Sequence, residues 1–232
     1  MRYAAAFLAL MLAWLCPASA AAQTSSDQST DVVPSDTSRL FIGPTGRLLA
    51  PGQGYVSFDG IFMATVQVGV TRRFSMGAGT PLLPYGGPHP FWITPKVQVY
   101  DGDRVAVAAG LMNVFMPGVG TVGMAYSAGT IGTLEASATI GGGVFYADEN
   151  GPRGGSGVTP VVLAGGERRF RPRVSFLTEN YLGAHGGLLS AGVRWRGPAW
   201  QVNLAPMLAF GGDWAFPAIF FSFAYKFGGG SR

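Results

Sequence analysis

Charge is what this chain of 232 residues has least of: Asp, Glu, Lys and Arg together make up 12% of it. That is about half the roughly 25% usual in soluble domains. A soluble domain of this size covers itself with such residues, and here the material is missing. Long apolar runs are missing as well. After the first residues no stretch reaches 18 uninterrupted apolar positions, so no membrane-spanning helix is predicted. Low charge without apolar 20-mers is the pattern of a transmembrane barrel, in which alternate residues of each strand meet lipid.

Cysteine is nearly absent. The one example, Cys16, lies in the amino-terminal segment. That segment has the parts of a signal peptide: Arg2, an apolar core from Ala4 to Leu15, and small residues at Ala18-Ser19-Ala20 and Ala20-Ala21-Ala22. A lipoprotein signal requires a small residue just before its cysteine, and Leu15 stands there instead. Residues 1–22 are therefore expected to be removed, the alternative being an uncleaved helical anchor. The remaining chain then has no disulfide, no thiolate nucleophile and no cysteine metal site. Basic runs are missing too. The formal charge of +4 is dispersed, and the pairs Arg72-Arg73 and Arg168-Arg169 are not interleaved with aromatics. Nucleic-acid binding requires a concentrated basic footprint, so no nucleic-acid partner is expected.

Glycine, with 36 residues, and a period of two are what the sequence does have. Residues 23–38, QTSSDQSTDVVPSDTS, form a polar leader, and residues 39–232 are read as one barrel domain. In Trp200–Phe210, Trp200, Val202, Leu204, Leu208 and Phe210 share one face, with Gln201, Asn203 and Ala205 on the other. Leu134, Ala136, Ala138, Ile140, Val144 and Tyr146 likewise oppose Glu135, Ser137, Thr139, Gly141 and Gly143. One apolar face and one small or polar face fit lipid outside and a lumen inside. Short turns at Thr71-Arg72-Arg73, Asp101-Gly102-Asp103 and Arg196-Gly197-Pro198 alternate with longer ones at Pro84–Pro90, Asp148–Gly157 and Gly183–Gly187. The expected fold is all-β, a single antiparallel transmembrane barrel of about 12 strands (range about 10 to 14), with both termini periplasmic. Leu40–Leu48 is an open alternative for one more strand.

The last apolar segment carries Phe221, Phe223, Tyr225 and Phe227 at alternate positions. It resembles the terminal β-signal that the barrel-assembly machinery reads, except that Gly228–Arg232 trail behind it. An edge strand of a periplasmic sandwich is the alternative, but such an exposed aromatic strand invites aggregation outside lipid. The segments GYVSFDGIF, GVTRRFSMGAGTPLLP, ITPKVQVY, FLTENY and GGLLSAGVRW resemble the uncharacterised outer-membrane barrel proteins of Gram-negative bacteria. The resemblance spans Leu40–Phe227 and implies a fold, a location in the outer membrane and contact with its lipid. It carries over no functional residues.

Candidate functional residues are the charges inside strands. Asp59, Lys96, Glu135 and Arg194 alternate with apolar neighbours and are expected to face the lumen, while Glu179 sits on a strand with two mixed faces. Lys or Arg facing lipid at mid-depth costs about 2–4 kcal/mol, so the inward side is forced. Such charges either brace the wall as ion pairs or form a constriction that selects solutes. With small residues such as Gly69, Ser75, Gly77, Gly79, Ala106, Ala108, Ser137, Thr139 and Gly192 facing inward, a narrow passive pore for small solutes is the expected function. A structural or adhesive barrel with a filled lumen is the alternative, and the leader is a candidate plug. A lipid-modifying hydrolase at the rim ranks third. It would draw on His89 or His185, with Ser190, Glu179 and Asn180 near the latter. No Gly-x-Ser-x-Gly elbow supports it. The two histidines match no metal-clamp spacing, and Gly141-Gly142-Gly143 lies within a strand pattern that opens no helix. No metal or cofactor is expected.

Overall fold

The computed structural model describes residues 37–60, 62–83, 89–149 and 156–228. The expected signal peptide, most of the leader and the tips of the two longest loops lie outside them.

Period-two alternation becomes a closed antiparallel ring. Its strands are β1 (Gly54–Asp59), β2 (Met63–Thr71), β3 (Phe74–Pro81), β4 (Phe91–Ile93), β5 (Lys96–Asp101), β6 (Val105–Met116) and β7 (Gly120–Gly132), followed by β8 (Ala136–Glu149), β9 (Ser156–Arg171), β10 (Val174–Gly183), β11 (Gly186–Arg196), β12 (Trp200–Gly211) and β13 (Trp214–Phe227). β4 and β5 lie end to end between β3 and β6, interrupted at Thr94-Pro95 because proline has no N–H to give the ladder. They count as one wall strand, so the barrel has 12, and no helix occurs among the described residues. The pairing of β1 with β13, Gly54 opposite Phe227 through Asp59 opposite Ser222, closes the ring. A closed ring leaves no edge strand.

Register assigns the faces. On β12 the buried Gln201, Asn203 and Ala205 point inward, and the exposed Trp200 and Leu204 point outward. On β1 the inward residues are Tyr55, Ser57 and Asp59. The aromatics Phe221, Phe223, Tyr225 and Phe227 all fall on the outer face of β13, opposite in parity to the buried Phe220, Ser222 and Ala224.

Two expectations need correction, and one open alternative is closed. The break expected before Thr133 comes later: β7 pairs with β8 as far as Gly132 opposite Ser137. Glu135 therefore lies in the turn at 133–135, exposed and outside the lumen. Gly129 and Thr130, which resemble turn residues, continue the strand instead. Secondly, Gly183–Gly187 is not a longer loop. Glycines 183, 186 and 187 pair in the ladders, which leaves the two-residue turn Ala184-His185. The connection from β1 to β2 and the turns at 117–119 and 212–213 are also short, helped by positive φ at Gly60, Gly118 and Gly212. Leu40–Leu48, the open alternative, adds no strand. The segment enters the lumen, and the wall begins at Gly54. Its one described β-bridge joins Arg39 to Pro44.

A ring closed by main-chain bonds on every side resists detergent until heated. The refolded protein is expected to show heat-modifiable gel mobility and a strand-rich circular dichroism spectrum, and mobility indifferent to heating would contradict closure.

Candidate functional site

Residues 37–50 cross the space enclosed by the wall. Leu40 N donates to the Gly43 carbonyl at 2.8 Å and Thr45 N to the Ser38 carbonyl at 3.2 Å, which folds the start of the segment into a tight hairpin. Such a turn presents main-chain groups that have no ladder to join. Unpaired in a dry interior, each would be costly. Inward side chains of the wall supply the partners.

Glu179 holds the tip. Its carboxylate accepts the N–H groups of Phe41 at 2.6 Å, Ile42 at 3.0 Å and Gly43 at 2.9 Å. Successive N–H groups in a turn form a concavity suited to an anion. Gly43 is needed for the approach: a Cβ there would lie 2.3 Å from the Tyr181 hydroxyl and 3.0 Å from the Glu179 carboxylate. Arg194 takes the opposite polarity and donates through Nη2 to the Leu40 carbonyl. Lys96 Nζ donates to the carbonyls of Ser38 at 2.8 Å and Arg47 at 2.6 Å. Gln98 Nε2 reaches the Gly46 carbonyl at 2.7 Å, and Gly46 N donates to Thr130 Oγ1 at 2.8 Å. A Cβ on Gly46 would fall 2.0 Å from the Ala106 carbonyl oxygen, so main chain meets main chain at that point.

Apolar contacts seat the tip beside these bonds. Phe41 is fully buried with Leu177, Ala205 and Phe220, its ring 5.9 Å from that of Phe220 at a 60° tilt. Gly165 leaves the space that Leu40 fills. Arg39 bonds Asp59 and Ser57 at 3.2 Å and lies over the Tyr55 ring at 4.3 Å, a cation–π contact.

A second network belongs to the wall itself. Arg194 bonds Asn203 through Nε at 2.7 Å and Glu167 through Nη1 at 2.9 Å. Glu167 also pairs with Arg196, which donates to Ser175, while Asn203 donates to Ser222 at 2.7 Å. Arg194 thus links the two networks.

Of the charges singled out from sequence, Asp59, Lys96 and Arg194 are buried inside and each engages the segment. Glu135 is not among them. Glu179, left unassigned by its mixed strand, is the main anchor. Gln98, Thr130 and Glu167 were missed, although each has the parity of an inward residue. Arg39 and Phe41 were missed because their segment lacks a strand period. The rim residues do not assemble. His89 is exposed in the β3–β4 loop, and His185 is exposed in its turn. Ser190 is committed to the Glu179 carbonyl and Asn180 to the Ala164 carbonyl and the Ser190 N–H. No cluster of His, Cys, Asp or Glu able to hold a metal occurs among the described residues.

The segment borders two spaces. At the end where Gly54 pairs with Phe227, a mouth of about 600 Å³ is lined by residues including Arg47, Leu49, Arg72, Asp101 and Asp103. On the other side, a cavity of about 110 Å³ has Ser38, Arg39, Ile42 and Pro44 on one wall and Met63, Trp92, Met112 and Val114 among the others.

Hydrogen bonds to charged groups contribute about 1.5–3 kcal/mol each. A Glu179→Gln exchange exposes one fewer strong acceptor to three donors. Amide exchange at Phe41, Ile42 and Gly43 is expected to accelerate at least ~10-fold, about 1.4 kcal/mol, while wall amides of β7 and β8 keep their protection. Equal acceleration in both places would mean that Glu179 holds the wall and not the segment.

No protein-family model matches the chain, and no curated protein is similar to it. Solved structures do share its architecture. One described as KdgM porin aligns with a TM-score of 0.55 at 6% identity, over 75% of this chain and 98% of that one. A structure of KdgM porin in complex with disordered oligogalacturonate aligns at 0.53 and 7%, over 75% and 98%. NanC porin in a rhombohedral crystal form aligns at 0.53 and 9%, over 75% and 99%. At these identities the likeness is one of fold: the chain shares a closed antiparallel β-barrel with these structures, and its own has 12 wall strands.

Proposed function

We propose that the chain is a barrel of the bacterial outer membrane that forms a narrow passive pore for small solutes, occluded at rest by residues 37–50. The observation that carries this reading is how the segment is held. Five inward side chains, Glu179, Arg194, Lys96, Gln98 and Thr130, bind its main chain, and open space lies on both sides of it. A wall built only to be filled would use packed apolar side chains. This one keeps Ala106, Ala108, Gly69, Ser75 and Gly192 on its inner faces and takes in a removable peptide. The fold shared with proteins described as porins supports the same reading.

Planar-bilayer conductance tests it. The chain from Gln23 onward is expected to show small or rare openings. A form lacking residues 23–50 is expected to conduct at least ~10-fold more, a difference of about 1.4 kcal/mol in occupancy if gating is two-state. Silence from both, with both heat-modifiable, would remove the pore. It would leave a structural barrel with a filled lumen, the reading favoured by the buried Arg194–Glu167–Arg196 network.

The outer surface supports a place in lipid. Ile140, Val158 and Ile219 are 68–79% exposed and all point outward. In bilayers Ile219→Arg is expected to cost about 2–4 kcal/mol, read as a lowered urea midpoint in folding titrations, whereas Asp213→Arg in the adjoining turn is expected to change little. Equal effects would argue against immersion at Ile219. Outer-membrane lipid and the barrel-assembly machinery are the proposed partners, the latter through Phe221, Phe223, Tyr225 and Phe227.

A further inference from the structure

The two ends of the lumen differ in chemistry. At the end where Gly54 pairs with Phe227 the inward residues are charged or polar, as at Arg194, Arg196, Gln201 and Asn203. Towards the opposite end they turn apolar. Register places Met112 opposite Met124 and Met124 opposite Phe145, with Val114 opposite Trp92 and Val122. All share the parity of Thr130 and Thr139, the inward residues nearest the lumen segment. Met63 has the parity of Asp59 and joins the same arc from β2.

Several of these inward apolar side chains are open to water. Met63 is 44%, Phe145 46% and Val122 36% exposed. Elsewhere such exposure marks the lipid face, but these residues look into the barrel, where lipid does not reach. Water against them is unfavourable, by about 25 cal/mol per Å², and a ligand would relieve it. The adjoining cavity of about 110 Å³ is lined by Met63, Trp92, Met112 and Val114, and also by Arg39, Asp59 and Lys96. These charged groups are already engaged, Arg39 with Asp59 and Lys96 with the carbonyls of Ser38 and Arg47, and so are the polar groups beside Trp92. Trp92 Nε1 donates to Thr65 at 3.2 Å, Thr94 to Gln67 at 2.7 Å, and Gln67 to Ser75 at 3.3 Å. A sugar-like ligand would find few free partners on these walls, whereas an apolar body would find surface.

We propose that this end of the lumen is a binding site for small neutral apolar molecules, about one aromatic ring in size. An apolar cavity of about 150 Å³ in another protein takes up benzene, so the volume here fits one ring with some adjustment. Methionine provides that adjustment, being unbranched, polarizable and frequent at surfaces that accept varied partners. Gly79 fixes the indole that forms the side of the site, since a Cβ there would lie 2.3 Å from Trp92 Nε1. The inference concerns occupancy of the lumen and does not depend on conduction, because a barrel that never opens would still hold such a ligand.

Trp92 is also the reporter. In the chain from Gln23 onward, Trp195→Phe, Trp200→Phe and Trp214→Phe leave Trp92 as the one tryptophan. In lipid vesicles, 4-bromobenzyl alcohol is expected to quench Trp92 saturably, while 2-bromoethanol at equal concentration quenches weakly and in proportion to dose. Met112→Gln with Met124→Gln keeps side-chain length and adds amides that the walls cannot satisfy; it is expected to weaken saturable quenching at least ~10-fold while heat-modifiable mobility persists. Non-saturable quenching by both probes, or saturable quenching unchanged in the double variant, would overturn the proposal. Planar-bilayer recordings on the same proteins report the pore separately, so failure of one reading is not failure of the other.

Discussion

A peptide segment inside a barrel must have its N–H and C=O groups satisfied without a ladder. The rest of this interior follows from that constraint. An antiparallel wall uses nearly all its own main-chain groups between neighbours, so none is left for residues 37–50. Side chains must therefore serve, and both polarities are needed. Glu179 serves the donors at Phe41, Ile42 and Gly43, while Arg194, Lys96 and Gln98 serve carbonyls at Leu40, Ser38, Arg47 and Gly46. Charged residues sit in the lumen here because they are the strongest partners for amide groups, in addition to pairing with one another.

The same constraint accounts for the inner glycines. Where the segment approaches the wall, a side chain on either surface would separate donor from acceptor. Gly43, Gly46 and Gly165 meet Tyr181, Ala106 and Leu40 at distances that a Cβ would occupy. Glycine weakens a strand through lost packing and entropy. In a closed ring that loss is spread over ladders on both sides of every strand.

The wall was legible in the sequence because period two is a local signal. Trp200–Gly211 alternates without interruption, and Gln201, Asn203 and Ala205 could be placed inside from their neighbours alone. Asp59, Lys96 and Arg194 were found by that test, since lipid excludes them from the other face. Glu135 shows where the test stops. Parity has meaning only within a strand, and glycines 129 and 132 made a turn and a strand end look alike. The lumen segment was illegible for a different reason: Arg39, Leu40 and Phe41 follow no period, and each is held by a residue distant in sequence, such as Asp59, Arg194 or Phe220. Glu179 could be seen as a strand charge, but its partners are amides of another segment, which leave no mark in composition.

How firmly the segment is held is set by a difference between two wet states. Its contacts with Glu179, Arg194 and Lys96 are strong as hydrogen bonds, yet the lumen borders water on both sides, so a departing segment would leave these groups to be hydrated and not stranded. Most of each bond's gross strength then cancels, and net contributions fall to about 0.5–3 kcal/mol apiece. The wall network of Arg194, Glu167 and Arg196 is made between wall residues alone, so its contacts do not depend on the segment. Phe41 behaves differently. Buried with Leu177, Ala205 and Phe220, it would expose apolar surface on leaving, about 1.5–3 kcal/mol for a fully buried side chain. The polar contacts therefore fix where the segment lies, and the phenylalanine supplies much of the bias that keeps it there.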